Sequence, residues 1–192
     1  MPAMSKVESA FCRSSLWRPI ASATARFAGR TPLSGRVLEL GCGGGDIALS
    51  LTKSNPGVTY VASDADPKMV ELAGRRLAAR EDITVTHEDA TDLSFPDESF
   101  DTVVSFLMLH HIVQWEAAIA EVARVLRRGG RLVGYDLTRT GANTAIHRFD
   151  GSQYLLISPD ELAESFRAHG LDAKVRPFGF GQAMSFSATK PR

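Results

Sequence analysis

Three things are scarce in this chain, and each scarcity removes a class of function. Cysteine occurs twice, at Cys12 and Cys42. Two lone thiols make neither a disulfide framework nor a zinc-ligand cluster, so no metal is expected and a cytoplasmic, reducing location is. Charge of one sign is not in excess: 22 Lys and Arg face 22 Asp and Glu. A general nucleic-acid binder is expected to carry a basic surplus, so nucleic acid is not an expected partner. No apolar run reaches the roughly 18 residues of a membrane span. The first thirty residues carry Lys6, Glu8, Arg13, Arg18, Arg26 and Arg30 without a continuous apolar segment, unlike a signal peptide. Internal repeats are also absent. What remains is a globular composition, 44% hydrophobic and 23% charged over 192 residues, enough to bury one core.

Glycine, by contrast, is concentrated. Val37-Leu38-Glu39-Leu40 leads into Gly41-Cys42-Gly43-Gly44-Gly45, and a helical pattern starts at Asp46. The apolar lead reads as a strand buried on both faces. The glycines permit a tight turn and a close approach to a ligand. Asp46 is placed to cap the helix. Strand, glycine turn and helix N-terminus together make a nucleotide cradle. A dinucleotide fingerprint would carry a third glycine where Asp46 stands. An acid there opposes a pyrophosphate, and Glu39 at the strand end suits a ligand bearing an ammonium or sulfonium cation. S-adenosylmethionine (SAM) has both and no phosphate. An NAD-dependent enzyme on a similar sheet remains the alternative, as does a non-catalytic SAM-binding domain.

The chain before the turn, residues 1–34, reads as an interrupted helical segment with Phe11, Leu16, Trp17, Ile20 and Phe27 on an uneven apolar face. It serves either as packing or as a lid over the ligand. Residues 35–192 read as the catalytic domain. Strands are expected over 58–62, 83–87, 102–106 and 131–137, alternating with helices after Asp46, from Pro67 to Arg80 and from 113 to 127. Gly129-Gly130 is expected to end the third of these helices. Ser158-Pro159-Asp160-Glu161 is a helix start with a capping box. Residues 173–176 and 184–188 read as a terminal hairpin. Alternating strands and helices predict an α/β sheet, Rossmann-like, mostly parallel with an antiparallel terminal hairpin and helices on both faces. Right-handed crossovers bring the glycine turn and the strand-end acids to one sheet edge. Asp64, at the end of the second strand, is placed to accept two ribose hydroxyls. Asp66 caps the helix that opens at Pro67. Asp89 and Ala90, beyond the third strand, fit the amine and ring of adenine. His87 reads as a surface residue.

Four segments together resemble the class I SAM-dependent methyltransferases: Val37–Asp46, Ser63–Val70, Asp89–Asp101 and Val125–Leu132. The branch it resembles most is the small-molecule group that includes the quinone-biosynthesis C-methyltransferases. The resemblance covers residues 35–190 and implies a seven-stranded sheet with its last strand antiparallel. It implies that Glu39, Gly41, Cys42 and Gly43 hold the methionine end of SAM. Asp64 would take the ribose, with Ala65 and Met69 beside the adenosine. Asp89 and Ala90 would take adenine, and Ser105 and Phe106 would line the cofactor from the fourth strand. Gly44 departs from the quinone enzymes, which tend to carry a hydroxyl residue there.

Methyl transfer from a sulfonium is an in-line displacement with an activated leaving group, so positioning and desolvation carry much of it. A base is needed only where the nucleophile loses a proton. His110 and His111, after the fourth strand, are the candidate bases. Tyr135, Asp136 and His147 are weaker ones. Residues 138–157 lack a clear period and, with the N-terminal segment, are the chain left to form an acceptor pocket. Arg139 and Arg148 in that stretch could favour an anionic acceptor. A small-molecule acceptor is expected, with SAM converted to S-adenosylhomocysteine, in a monomer or homodimer.

Overall fold

Val, Leu and Phe are concentrated in Arg36–Leu40 and Phe100–Phe106, and these segments form the central strands. The structure is a computed structural model and describes residues 32–144 and 154–192. Seven strands form one sheet: β1 (Arg36–Leu40), β2 (Thr59–Asp64), β3 (Ile83–His87), β4 (Phe100–Phe106), β5 (Leu126–Leu137), β6 (Asp172–Phe178) and β7 (Ala183–Thr189). Their order is β3-β2-β1-β4-β5-β7-β6. The strands β1 to β5 pair in parallel, and β7 is antiparallel to both β5 and β6. The antiparallel strand therefore lies one place in from the edge, because the hairpin folds β7 back between β5 and β6. Helices α1 (Asp46–Ser54), α2 (Pro67–Leu77), α3 (Trp115–Val125) and α4 (Pro159–Ala168) connect and cover them.

Strand alternation splits the core in two. Leu38, Leu40, Val103 and Leu132 point to the face packed by Ile119, Val122, Leu162 and Phe166. Val37, Tyr60, Ala62, Val104 and Phe106 point to the face packed by Ile47, Leu51, Ala73 and Leu77. The central strands are apolar on both sides for this reason. At α2, the Asp66 side chain accepts from the Lys68 N–H, with Pro67 first in the helix. At α4, Ser158 and Glu161 form the capping box.

Two local expectations fail. Asp46 does not cap α1: Gly45 holds the cap position at φ 80, and Asp46 pairs with Arg76 of α2. The helix expected over 113–127 ends at Val125, and Gly129-Gly130 lie inside β5. Cross-sheet bonds outcompete the helix there. The Gly129 N–H donates to the Lys190 carbonyl, and the Arg127 guanidinium donates to both Asp101 carboxylate oxygens at 2.8 and 2.7 Å.

The stretch after β5 is stitched at its ends. Thr138 bridges Ile157, and the Asn143 amide donates to the carbonyls of Thr138 and Gln182. Arg139 is not presented to an anion, since its guanidinium holds both carboxylate oxygens of Glu161 at 2.6 and 2.8 Å. His147 and Arg148 lie outside the described residues, as does the expected N-terminal helical segment up to residue 31.

Gly134 marks the tightest strand contact. A Cβ there would sit 2.0 Å from the Ser105 carbonyl oxygen and 2.6 Å from the Phe186 ring. Backbone cannot yield as a flexible side chain can. Gly134→Ala is expected to destabilise the fold by about 3 kcal/mol, read as a lowered denaturation midpoint with an unchanged slope.

Candidate functional site

The strand order decides where a ligand can sit. The chain runs outward from β1 to β2 and β3, then returns to place β4 on the other side of β1. Connections leave β1 and β4 in opposite directions, so a crevice opens at their carboxyl ends. The ends of β1, β2, β3, β4 and β5 bring together Glu39 to Gly43, Asp64 and Ala65, Asp89 and Ala90, Ser105 and Phe106, and Asp136 with His110. These residues are spread over about a hundred positions in sequence and meet at one sheet edge.

The turn after β1 is shaped by close approach. Gly41 has φ 70, and a Cβ there would lie 2.2 Å from the Met108 side chain. The Cys42 N–H donates to the Ser63 carbonyl at 2.8 Å, which ties the turn to β2. Cys42 itself is buried, and burial pushes its thiol well up, so it is an inert filler and no nucleophile. Arg76 reaches across from α2 to the Gly44 carbonyl at 2.8 Å and to Asp46. That cation meets the charge of Asp46, which leaves Glu39, whose unpartnered oxygens want donors that a pyrophosphate lacks, as the residue that disfavours one at this turn.

Glu39 is the anomaly of the site. It is 1% exposed, and neither carboxyl oxygen has a hydrogen-bond partner. Burial pushes its carboxyl up to about 8, the neighbouring Tyr60 hydroxyl pulls it down, and Asp64 pushes it up further. Tyr60 interacts with it electrostatically, yet the phenolic oxygen too lacks a partner with hydrogen-bond geometry. Leaving buried polar atoms unpartnered is costly, so this group has a reason other than folding.

Asp64, the last residue of β2, is built into the turn. Its Oδ2 accepts from the Gly43 N–H at 2.8 Å and its Oδ1 from the Asp66 N–H at 2.9 Å. Burial raises its carboxyl above the usual value, and those backbone donors oppose the rise. Next to it, the Ala65 carbonyl lies 3.0 Å from Nε2 of the exposed His87. Met69 is fully buried in the first turn of α2. Asp89 closes its own turn, with Oδ1 accepting from the Thr91 N–H and hydroxyl at 2.9 and 2.7 Å, and Ala90 is buried beside it. On β4, the Ser105 hydroxyl is buried without a partner, and the Phe106 ring packs 5.7 Å from that of Tyr135.

The loop carrying Asp89 and Ala90 is clamped by residues that sequence reasoning missed. Glu88 accepts from the Ser94 N–H and hydroxyl, and Glu121 of α3 accepts from the Leu93 N–H. Arg124 of α3 donates to the carbonyls of Leu93 and Phe95 and pairs with Asp97. The carboxylates of Glu121 and Asp97 raise the Arg124 guanidinium further above its usual value. No short-range pattern signals Glu121 and Arg124 as partners, since they sit about thirty positions from the loop they hold.

After β4, a turn of 3-10 helix at Leu109–His111 carries the two histidines and sets His110 against β5. His110 is 3% exposed, and its Nδ1 is bound to the carboxylate of Asp136, which is fully buried on β5. The second oxygen of that carboxylate accepts from the His110 backbone N–H at 3.2 Å. His111 stacks on His110 with ring centroids 4.0 Å apart. With Nδ1 committed to an acid, the imidazole is held in one orientation, and Nε2 is the ring nitrogen turned away from Asp136. Asp136 is thus engaged as a partner of His110 and not as a base itself.

The comparisons with known proteins agree with this architecture. A family model described as a methyltransferase domain matches residues 38–134. A demethylmenaquinone methyltransferase of Clavibacter sepedonicus is 40% identical over 103 residues, covering 53% of this chain and 41% of that protein. One of Deinococcus radiodurans is 31% identical over 174 residues, covering 77% of this chain and 72% of its own length. The chain thus spans less than half of the first relative and most of the second. A Haloferax volcanii methyltransferase, solved in complex with an activator protein, superposes with a TM-score of 0.84 at 19% identity, covering 100% of both chains. The parallel sheet, its antiparallel seventh strand and the matched residues together make this chain a member of the methyltransferase domain family, of the class I SAM-dependent type.

Proposed function

We propose that this protein transfers a methyl group from SAM to a small-molecule acceptor. The observation that carries the reading is Glu39: a buried carboxyl with two unpartnered oxygens at the switch point of a parallel sheet. SAM fits that position because its ammonium donates hydrogen bonds to unpartnered carboxyl oxygens, which a pyrophosphate without donors cannot do. When bound, SAM supplies a methyl group on a positively charged sulfur. The residues of the chain then have distinct tasks. Glu39, Gly41, Cys42 and Gly43 receive the methionine end. Asp64, already oriented by two backbone donors, accepts from the ribose, with Ala65 and Met69 beside it. Asp89 and Ala90, on their clamped loop, take the adenine, and Ser105 and Phe106 form the wall. Displacement at the methyl carbon then depends on alignment and exclusion of water.

His110 is the general base in this reading, and His111 is its neighbour at the acceptor side. A buried acid behind an imidazole has little use for an acceptor that is already a free nucleophile. It suits a hydroxyl or an acidic carbon, which must lose a proton as the bond forms. The relatives named for demethylmenaquinone favour an acceptor of the quinone type, while Gly44 departs from the quinone enzymes at the turn. The proposed partners are this small molecule and no nucleic acid.

Thermal unfolding with S-adenosylhomocysteine, SAM, NAD and NADP, each added separately, tests the cofactor. A ligand at about a hundred times its dissociation constant adds about 2.7 kcal/mol, a shift of several degrees for a domain of this size. The two adenosyl-sulfur compounds alone are expected to shift the midpoint. A shift with NAD alone overturns the reading.

A further inference from the structure

Glu39 performs a task that binding a cation does not by itself require. Two groups of opposite charge attract whatever their history. Here the carboxyl is enclosed by β2 and β4 on either side, in register with Ala62 and Val104. The groups that face it, among the described residues, are Tyr60 and Asp64 of β2 and Cys42 of the turn; β4 places Thr102, Val104 and Phe106 on that face. Farther along, Asp46 and Arg76 neutralise each other, and Tyr135 of β5 packs on Phe106. None of these supplies a cation or a hydrogen-bond donor to either Glu39 oxygen. An ionised carboxylate in such surroundings is strongly disfavoured, whereas a neutral carboxylic acid is tolerated.

We propose that Glu39 is a neutral carboxylic acid in the ligand-free protein and releases its proton to solvent as the ammonium of SAM or S-adenosylhomocysteine docks against it. The inference rests on the reading of this site as a SAM site. The balance is simple: one O–H bond breaks, the proton goes to buffer, and the carboxylate left behind accepts N–H bonds from the ligand. The ammonium, and not the sulfonium, is the trigger, because only the ammonium carries N–H donors for two orphaned acceptors. Burial, which pushes this carboxyl up to about 8, agrees with this. The sign follows directly: binding that expels a proton strengthens as pH rises, from about pH 6 until the carboxyl is ionised unaided.

Calorimetric titration of the full chain with S-adenosylhomocysteine, at pH 7 in phosphate and again in Tris, reads this proton. The two apparent enthalpies are expected to differ by the buffers' difference in ionisation heat multiplied by about 0.9 proton. The association constant is expected to climb nearly tenfold between pH 6 and 7 and to level off above pH 8. SAM should release the same proton count. Equal enthalpies in both buffers overturn the proposal while leaving the SAM site standing, and release with SAM alone overturns the ammonium as trigger. No binding of either ligand overturns both readings.

Glu39→Gln gives a second, ligand-free readout. A carboxyl raised in the folded state contributes stability that is full below its unfolded value near 4.5 and is lost as pH rises toward 8. The variant, which cannot ionise, is expected to unfold several degrees above the wild type at pH 8 and to match it near pH 4.5. A variant no more stable than wild type at pH 8 overturns the proposal.

Discussion

Asp64→Ala is expected to weaken SAM and S-adenosylhomocysteine by at least a hundredfold, about 2.7 kcal/mol of binding free energy. The residue acts twice. It is the acid assigned to the ribose, and its two oxygens hold the Gly43 and Asp66 N–H groups that set the shape of the cradle. Bonds of neutral donors to a charged acceptor contribute about 1.5–3 kcal/mol each, so losing the carboxylate loosens the turn as well as removing a ligand. Asp64→Asn separates the two roles. Its single carbonyl oxygen can keep one backbone donor but not both, and its amide cannot accept, so an intermediate affinity is expected. Calorimetry on both variants, with the unfolding midpoint measured alongside, makes the comparison. Near-wild-type affinity in a folded Asp64→Ala protein would remove the ribose assignment.

Asp136→Asn is expected to lower kcat by about two to four orders of magnitude while leaving the SAM dissociation constant within about twofold. Asparagine keeps the size of the side chain and can still accept from the His110 backbone. What it changes is the group facing Nδ1 and the Leu137 N–H, both of which Oδ1 serves in the wild type. An amide N–H there makes Nδ1 the acceptor and moves the imidazole proton to Nε2, which then cannot take a proton from the substrate. Asp136 is a positioning residue in this account, so its loss should act through the protonation state of His110. The nitrogen resonances of the His110 ring are expected to exchange their protonated and unprotonated characters in the variant, with or without an acceptor present. Demethylmenaquinone, which the names of the two relatives described above contain, is the first acceptor to try. A purely structural role for the pair predicts the opposite pattern: a lowered unfolding temperature and unaltered turnover in the fraction that remains folded. Equal turnover in His110→Ala, His111→Ala and wild type would dismiss both histidines as bases.

Much of the site was legible because its signals are local. The glycine cluster after an apolar strand, the acid at the end of β2 and the acid beyond β3 each follow from a strand-to-turn transition in the chain. The caps of α2 and α4 were equally legible, since a cap is decided within three residues. The errors have one physical origin. Asp46 looked like a cap because the helix begins there, but Arg76, thirty positions on, draws its carboxylate away. The segment 126–130 looked like a helix end because paired glycines usually are, but Phe100, Asp101 and Lys190 bind it into the sheet. Arg139 looked like an exposed cation, and Glu161 across the loop claims it.

Periodicity and turn chemistry act over a few residues, so the class of fold, the glycine turn after β1 and the acids at the strand ends could be read from the chain alone. Tertiary structure alone decided what those acids are. It enclosed Glu39 between β2 and β4 with both carboxyl oxygens unpartnered, which turns a strand-end acid into a proton-holding group. It set Asp136 of β5 behind His110, which turns one of two adjacent histidines into an oriented one. Both outcomes depend on which strands become neighbours, and that is fixed by the burial of the whole sheet and not by any stretch of it.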